Sequence, residues 1–304
     1  MNALSRFFIE AKKSGFNVNS ICIQSKDGII FEGSNELTNV HSAAKTITSL
    51  AFALLLKEHS DISLDDQVIS FFPEYSFSSN TDCIKIRDLL HMQSGKCLQS
   101  LLQKNNNSEW NIDWVKWFLE FPMHYLPGTK YYYSSHCCYM IGRIIEKISQ
   151  EDVNDFLLPR FWEPLGIKFP FWDKCPQGYT NCAGNLIMSC LDLSKVGWVI
   201  LNYGQYGSVQ LDFVEDYLRN MCTDIVNSSD PFMWDDEECS SGYGYFLWKC
   251  KKEERYRIWG AGGNFSIMDF GTHRCVTVTA TRDDLNWRFH NDQDLLRMIV
   301  NFFL

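Results

Sequence analysis

The chain has 304 residues, 45% of them hydrophobic and 15% aromatic, which excludes disorder for most of its length. Its formal net charge of −9, with no basic stretch longer than Lys-Cys-Lys-Lys-Glu-Glu-Arg at 249–255, argues against nucleic acid or an anionic membrane surface as a partner. No apolar run approaches the roughly 20 residues of a membrane-spanning helix. Charged residues also interrupt the N-terminal segment, so we expect a soluble, cytoplasmic chain without a secretory signal.

The twelve cysteines do not follow a metal-binding pattern. No CxxC pair and no HExxH motif occurs, and Cys175, Cys182 and Cys190 lie too far apart for a zinc knuckle. In a chain of this length without an export signal, reduced thiols are expected. The sequence therefore predicts neither a metal site nor a cofactor.

The first predicted elements are a helix, a hairpin and a second helix. Residues 3–14 form an amphipathic helical pattern that ends at Gly15. Two β-branched runs then flank Lys26-Asp27-Gly28, and Asp-Gly suits the positive φ of a hairpin turn. From Ser42 to about His59 the chain reads as a long apolar helix.

The remaining elements complete the predicted fold. From Asp61 to about Asp235, short helical patterns alternate with loops rich in Pro, Gly and Asn. The strand-like runs GYGYFLWKC, RYRIWG, NFSIMDF and RCVTVTAT follow, and then a helical segment to the end. The sequence thus predicts a mixed α/β (α+β) fold: an antiparallel sheet from both chain ends, flanked by helices, with a large helical insertion. The predicted domains are 1–60 with 236–304, and 61–235, with the active site at their interface.

Ser42 and Lys45 stand at the start of the apolar helix with the spacing SxxK. At a helix N-terminus, residues three apart lie on one face, and the serine hydroxyl is at the positive end of the helix dipole. An ammonium cannot accept a proton, so a lysine base must be buried to favour its neutral form. By itself, however, the spacing also fits an ordinary start of a helix.

The motifs downstream resemble the serine β-lactamase and penicillin-binding-protein-like hydrolases, nearest to the class C β-lactamase and esterase branch. IKIRDLLHMQSG is similar to the ITIRDLLTMTSG loop of that branch, and LPGTKYYYSSHCCYMIGRIIEKIS to its PGTxFxYSN element. SGYGYFLW and WGAGGNFSIMDF follow in the family order. The resemblance spans roughly residues 18–300 and implies a β-lactamase/transpeptidase-like fold and an acyl-enzyme mechanism.

The resemblance also implies catalytic roles. Ser42 would be the acylated nucleophile, Lys45 the base that takes its proton, and Tyr133 a second proton carrier. Counting from Pro127-Gly128 places Tyr133, and not Tyr131 or Tyr132, at the catalytic position, although core packing or strand-edge stacking is an alternative for all three tyrosines. The backbone N–H groups of Ser42 and Ala261 would form the oxyanion hole.

Two departures from the family pattern concern substrate binding, for which Ser135, Trp259 and Gly260 are the predicted residues. Ser135 replaces the usual Asn and offers a shorter side chain with one donor. The triplet Ile258-Trp259-Gly260 replaces Lys-Thr-Gly, so the cation that engages a substrate carboxylate is missing. Arg257 is adjacent, but strand neighbours point to opposite faces. Trp259 itself fits either sheet packing or a wall of the acyl pocket.

The predicted function is therefore a serine hydrolase acting on a small-molecule or peptide-like ester or amide, in preference to a β-lactam or a cell-wall peptide. The alternative is a non-catalytic or weakly acylating module that binds or senses such molecules. His41 and His91 flank family motifs, and we expect them to fix the start of the helix and a loop instead of acting as bases. The sequence leaves the oligomeric state open.

Overall fold

A seven-stranded antiparallel sheet forms the centre of the protein in its computed structural model. The structure describes residues 1–98, 112–214, 216–229, 241–282 and 292–304. The sheet strands are β1 Phe16–Ser25, β2 Gly28–Gly33, β7 Tyr243–Gly244, β8 Leu247–Lys249, β9 Arg255–Gly260, β10 Asn264–Asp269 and β11 Arg274–Arg282. Their order is β2-β1-β11-β10-β9-β8-β7, so strands from the two chain ends meet where β1 pairs with β11. The predicted fold class is therefore confirmed.

Helices cover both faces of this sheet. On one face, α7 packs against β10 and β11, and its Gly197 lies against Ser266 and Cys275. On the other face lie α1 and the C-terminal helix α9, joined by ring contacts of Phe7 with Phe302 and Phe303. The helices are α1 Ala3–Lys13, α2 Ala44–Glu58, α3 Ile86–Leu90, α4 Trp114–Glu120, α5 Ser135–Ser149, α6 Val153–Leu157, α7 Cys190–Leu201, α8 Tyr217–Thr223 and α9 Asp292–Phe303.

Helix α2 is buried over most of its length. Every residue of α2 from Ala44 to Leu55 is buried, which explains why this stretch is apolar on all sides and not along one stripe. It packs against α5 in the helical part of the chain. Shorter elements complete the description: 3-10 turns His41–Ala43, Val68–Phe71 and Thr81–Cys83, a π turn Leu158–Trp162, and the strand pairs β3 Thr38–Asn39 with β4 Ile187–Met188 and β5 Gln205–Tyr206 with β6 Val209–Gln210.

One predicted hairpin is confirmed, and one predicted strand is a hairpin instead. The turn at Lys26-Asp27-Gly28 joins β1 and β2 as predicted, and Gly28 has a φ of 124°. The run GYGYFLWKC, predicted as one strand, is instead the hairpin β7–β8. Its central residues Tyr245 and Phe246 have φ values of 52° and 59°, which two-residue hairpins need but bulky residues seldom adopt.

Tertiary contacts stabilise this unusual turn. The Tyr245 ring packs edge-on against Tyr217 at 5.0 Å and against His91 at 5.3 Å between ring centroids. The Phe246 carbonyl oxygen accepts a 2.7 Å hydrogen bond from Thr46 Oγ1 of α2. The prediction was wrong here because these stabilising partners are distant in sequence.

Several other expectations concern absences or boundaries. Within the described ranges, no helix combines the length and apolar character needed to cross a bilayer. In those same ranges, no group of three or more His, Cys, Asp or Glu side chains is placed to hold a metal. The cysteines described there are free thiols. The domain boundary predicted at 235–236 lies outside the described residues, so the two-domain division stays a prediction.

An ion pair between β9 and β10 yields a first testable expectation. Asp269 Oδ2 accepts hydrogen bonds from Arg255 Nε at 3.0 Å and Nη2 at 2.6 Å, and the two side chains are 2% and 4% exposed. Burial alone would raise the pKa of Asp269, but the bonds from Arg255, Thr272 and Lys252 outweigh it and lower the pKa to about 2. The folded-state pKa lies below the unfolded value, so this stabilisation is present above about pH 4 and is lost toward pH 2.

We expect Arg255→Met to lower the free energy of unfolding by about 3 kcal/mol at pH 7, because it leaves a buried carboxylate poorly paired. The deficit should shrink as the pH falls from 4 toward 2, where Asp269 becomes protonated. Urea unfolding at pH 7 and pH 3 measures both effects. Arg297→Met is the matched control, since Arg297 pairs with Asp294 at the surface and should change stability by less than about 1 kcal/mol. A deficit independent of pH would contradict the role given to Asp269.

Candidate active site

The segment before α2 places Ser42 at the edge between sheet and helices. The Val40 N–H donates to the Leu186 carbonyl at 2.9 Å, beside the β3–β4 pair. His41 has a φ of 50°, and its N–H donates to Asn39 Oδ1 at 2.8 Å. These contacts start a 3-10 turn in which Ser42 is half-buried, immediately ahead of α2.

Lys45 lies against Ser42 in a buried position. Its Nζ is 3.0 Å from Ser42 Oγ and 2.6 Å from the Ala183 carbonyl oxygen, and the residue is 1% exposed. Both oxygens are neutral groups. Lys45 Nζ is thus held away from solvent and within hydrogen-bonding distance of the Ser42 hydroxyl, which is the geometry that proton transfer between the two groups requires.

Tyr133 is the tyrosine that faces this pair. Lys45 Nζ lies 5.1 Å from the centroid of the Tyr133 ring. That ring stacks on Trp248, with centroids 5.8 Å apart, and meets Tyr243 edge-on at 6.1 Å. Tyr131, in contrast, is 3% exposed and packs edge-on against Tyr243 at 5.6 Å. The structure therefore brings Ser42, Lys45 and Tyr133 together.

The end of β9 abuts the turn that carries Ser42. A Cβ built on Gly260 would collide with the Val40 carbonyl oxygen and lie 3.1 Å from the Ala43 nitrogen. Only glycine permits this approach of the two backbones. Ala261 follows at once and is half-buried. Its peptide is thus held next to the turn that carries Ser42, as the predicted oxyanion role of its N–H would require.

Gly260→Ala should separate β9 from the turn that carries Ser42. Because the collision is with backbone atoms, we expect a loss of about 1–3 kcal/mol in stability and a fall in hydrolysis rate of about 100-fold. Esterase assays together with urea unfolding would measure the two effects. Gly271→Ala is the control, since a Cβ there meets nothing closer than Asp269 Oδ1 at 3.4 Å and should be tolerated. A Gly260→Ala variant with unchanged activity would contradict the role given to this contact.

Neither Ile258, which replaces the motif lysine, nor its neighbour Arg257 offers a free cation to a substrate carboxylate. Ile258 is fully buried. The Arg257 guanidinium lies 5.4 Å from the Trp248 ring centroid and 5.7 Å from that of Trp259, and its Nη1 donates to the Lys249 carbonyl at 3.2 Å. Arg257 is therefore engaged within the fold, on the opposite face from Ile258, as strand alternation predicts.

The other predicted substrate-binding residues occupy different settings. Trp259 is 5% exposed, its ring stacks on Phe265 at 6.1 Å, and its Nε1 donates to Asp292 Oδ2 at 3.1 Å. This geometry favours packing over a pocket wall. Ser135 is the first residue of α5 and is half-buried. The substrate-binding roles of Ser135, Trp259 and Gly260 stay predictions.

The two histidines beside the motifs have structural surroundings. His91 Nδ1 and Nε2 each lie 2.9 Å from a carbonyl oxygen, of Arg87 and Asp224 respectively, so that the ring fixes a loop as predicted. Burial, together with the charge of nearby Lys45, lowers the pKa of His41. A neutral His41 at the start of the turn is consistent with the expected role.

Sequence reasoning missed two contributors to the site. The Ala183 carbonyl, which accepts from Lys45, lies in GYTNCAGNLIMSC, a stretch that matched the family order without an assigned role. A backbone acceptor leaves no side-chain signal in a sequence. Asp292, which bonds Trp259, belongs to the C-terminal helix, outside every quoted motif.

Comparison with known proteins agrees with this architecture. The family model described as Beta-lactamase matches residues 32–300. A relative from Escherichia coli (strain K12), named "Putative D-alanyl-D-alanine carboxypeptidase", is 22% identical over 146 residues, which are 43% of this chain and 32% of that protein. The chain thus matches about a third of the length of that curated relative.

Solved structures share the fold over nearly their full length. A "putative beta-lactamase" from Bacteroides dorei superposes with a TM-score of 0.79 at 17% identity, covering 98% of this chain and 97% of that one. EstCE1, a hydrolase with promiscuous acyltransferase activity, superposes with a TM-score of 0.71 at 14% identity, covering 97% of each chain. The match of the family model over residues 32–300 shows that the chain belongs to the Beta-lactamase family.

Proposed function

We propose that the protein is a serine hydrolase that forms an acyl-enzyme on Ser42 and acts on uncharged esters or amides. The observation that carries this proposal is the 3.0 Å contact between Ser42 Oγ and the buried Nζ of Lys45. A surface SxxK pair would leave its lysine in solvent, whereas Lys45 is 1% exposed and is held against Ser42 Oγ and the Ala183 carbonyl oxygen.

Acylation follows from the positions of these groups. Ser42 Oγ forms a bond to the substrate carbonyl carbon while its proton passes to Lys45 Nζ, and the carbonyl π electrons move to oxygen. The N–H groups of Ser42 and Ala261 hold that oxyanion. When the C=O bond re-forms, the bond to the leaving group breaks, and the leaving group takes a proton through Tyr133 or Lys45.

Deacylation repeats the sequence with water. Water gives a proton to the same base as its oxygen attacks the acyl carbon, and collapse of the second tetrahedral intermediate breaks the bond to Ser42 Oγ. Ser42 recovers its proton and the acid product leaves. The chemistry needs only side chains and backbone groups of this chain.

The preference for uncharged substrates rests on the third motif. Where the family has a lysine, Ile258 is buried, and Arg257 is occupied by the Lys249 carbonyl and two indole rings. A missing charge-assisted contact removes about 1.5–3 kcal/mol from the binding of a carboxylate. The half-buried ring of Tyr133 beside Lys45 favours neutral, apolar substituents instead.

A pair of esters differing only in charge tests the proposal. p-Nitrophenyl butyrate and mono-p-nitrophenyl succinate present the same leaving group, but the second has a carboxylate in place of the terminal methyl group. We expect kcat/KM to be at least about 10-fold higher for the butyrate, and hydrolysis of nitrocefin to be slower than either. Faster reaction of the succinate or of nitrocefin would overturn the substrate preference.

The same assay separates the alternative function. A weakly acylating binding module would release one equivalent of p-nitrophenol in a burst and then stop, leaving a stable mass adduct. A steady rate after the burst identifies an enzyme. Ser135 stands where the family has Asn, and Ile258 stands where it has the motif lysine. Both replacements are compatible with this alternative function.

A further inference from the structure

Asp292, the first described residue of α9, reaches from the C-terminal helix to the turn that follows β9. The residue is 4% exposed. Its Oδ2 accepts two hydrogen bonds of 3.1 Å, one from the indole Nε1 of Trp259 and one from the backbone N–H of Gly262. A buried carboxylate that accepts from two neutral donors on one turn holds that turn in a single geometry.

The two donors to Asp292 flank the peptide proposed as the second oxyanion donor. Gly260, on one side of Ala261, is fixed by its close backbone contact with Val40. Gly262, on the other side, is fixed by Asp292. The Ala261 carbonyl also accepts a 2.9 Å hydrogen bond from Asn264 Nδ2. These contacts hold the residues on both sides of Ala261 and the Ala261 carbonyl itself.

We propose that Asp292 is a positioning residue for the oxyanion hole: it holds the 259–262 turn so that the Ala261 N–H points at the reacting carbonyl oxygen. This inference rests on the proposed function, because it concerns the same Ser42 chemistry. Asp292 does not touch substrate and acts through the turn. Asn264 holds the following peptide, which joins the Ala261 carbonyl to the Gly262 nitrogen.

The expected effect of each substitution on turnover depends on whether it leaves a hydrogen-bond acceptor at the position of Asp292 Oδ2. Asp292→Ala removes both hydrogen bonds, so the turn relaxes and the donor moves from its productive position. Loss of one oxyanion donor reduces turnover by about 100- to 1000-fold. Asp292→Asn keeps an oxygen in the same position, but a neutral amide accepts more weakly than a carboxylate, so it should retain both bonds in weaker form and lose about 3- to 10-fold.

A substrate with sulfur at the reacting carbonyl gives a readout that a general structural role would not move. Thionoesters develop negative charge on sulfur, which is a poorer hydrogen-bond acceptor, so their reaction depends less on an oxyanion hole. We therefore expect the ratio of kcat/KM for p-nitrophenyl butyrate to that for p-nitrophenyl thionobutyrate to fall at least about 10-fold in Asp292→Ala. Asp294→Ala is the control, because Asp294 lies in the same helical turn with a 59% exposed side chain, and its ratio should equal that of the wild type.

Each outcome of the experiment has a distinct reading. An unchanged ratio in Asp292→Ala, or an equal loss on both esters, overturns the positioning role. If Asp292→Ala does not fold, Asp292→Asn decides: a smaller fall in the same direction supports the role, and a wild-type ratio overturns it.

A Ser42→Ala variant measured in parallel separates the two proposals. Hydrolysis that survives Ser42→Ala overturns the proposed function and the positioning role with it, whereas loss of hydrolysis there leaves the ratio as the test of Asp292 alone.

Discussion

Ser42→Ala is expected to abolish hydrolysis of p-nitrophenyl butyrate, with a fall in kcat on the order of 10⁴- to 10⁶-fold, as for other serine hydrolases that lose their nucleophile. The physical reason is that no other hydroxyl among the described residues is hydrogen-bonded to Lys45 Nζ. Removing one half-buried oxygen should cost little stability, since Lys45 keeps the Ala183 carbonyl as an acceptor. Initial rates of p-nitrophenol release, corrected for the uncatalysed reaction, measure the effect.

Ser70→Ala provides the matched control for this variant. Ser70 is an exposed serine in the 3-10 turn Val68–Phe71, and its hydroxyl donates only to the Gln67 carbonyl at 2.7 Å. We expect its activity to equal that of the wild type. Retention of more than about 1% of wild-type activity in Ser42→Ala would contradict the assignment of Ser42 as nucleophile.

Substitution of Lys45 should be nearly as damaging but for a different reason. Lys45→Met preserves the length and apolar stem and removes the amine, so Ser42 loses its proton acceptor. Lys45→Arg keeps a cation that cannot deprotonate in proteins, and it forces a larger group into a site that is 1% exposed. General-base removal reduces rates by about 10²- to 10⁴-fold. We expect both variants to fall in that range, with Lys45→Met at least as stable as the wild type because a buried amine is gone.

Lys57→Met, on the same helix, is the control for these variants. Lys57 is 47% exposed and pairs at the surface with Asp212 at 3.3 Å, so we expect its loss to affect neither rate nor fold. Steady-state kinetics and thermal unfolding of the three variants make the comparison. A Lys45→Met enzyme within 10-fold of wild type would show that another group takes the Ser42 proton.

Much of the fold was predictable because its signals are local or strongly ordered. The Asp27-Gly28 turn defines the first hairpin within a few residues, and SxxK places Ser42 and Lys45 three positions apart on one helical turn. Strand alternation also predicted that Arg257 and Ile258 face opposite sides of β9. In each case the deciding interaction joins residues close in sequence.

The remainder depends on contacts between distant segments. The Tyr245–Phe246 turn needs Thr46 of α2 and a ring from α8, neither of which the run GYGYFLWKC reveals. Likewise, Ala183 reaches Lys45 from 138 positions away through a backbone carbonyl, which any residue type carries. Composition and periodicity predict which faces of an element are apolar, but they do not predict which backbone carbonyl will contact which lysine.

The most direct test of the central claim is to locate the covalent adduct formed with a fluorophosphonate probe. Intact-mass measurement after incubation should show one adduct per chain, and peptide mapping should place it on Ser42. The same probe should leave the Ser42→Ala variant unlabelled while labelling Ser70→Ala fully. A single adduct on Ser42 is the result that an acyl-enzyme mechanism predicts, and an adduct on any other residue, or labelling that survives Ser42→Ala, would contradict it.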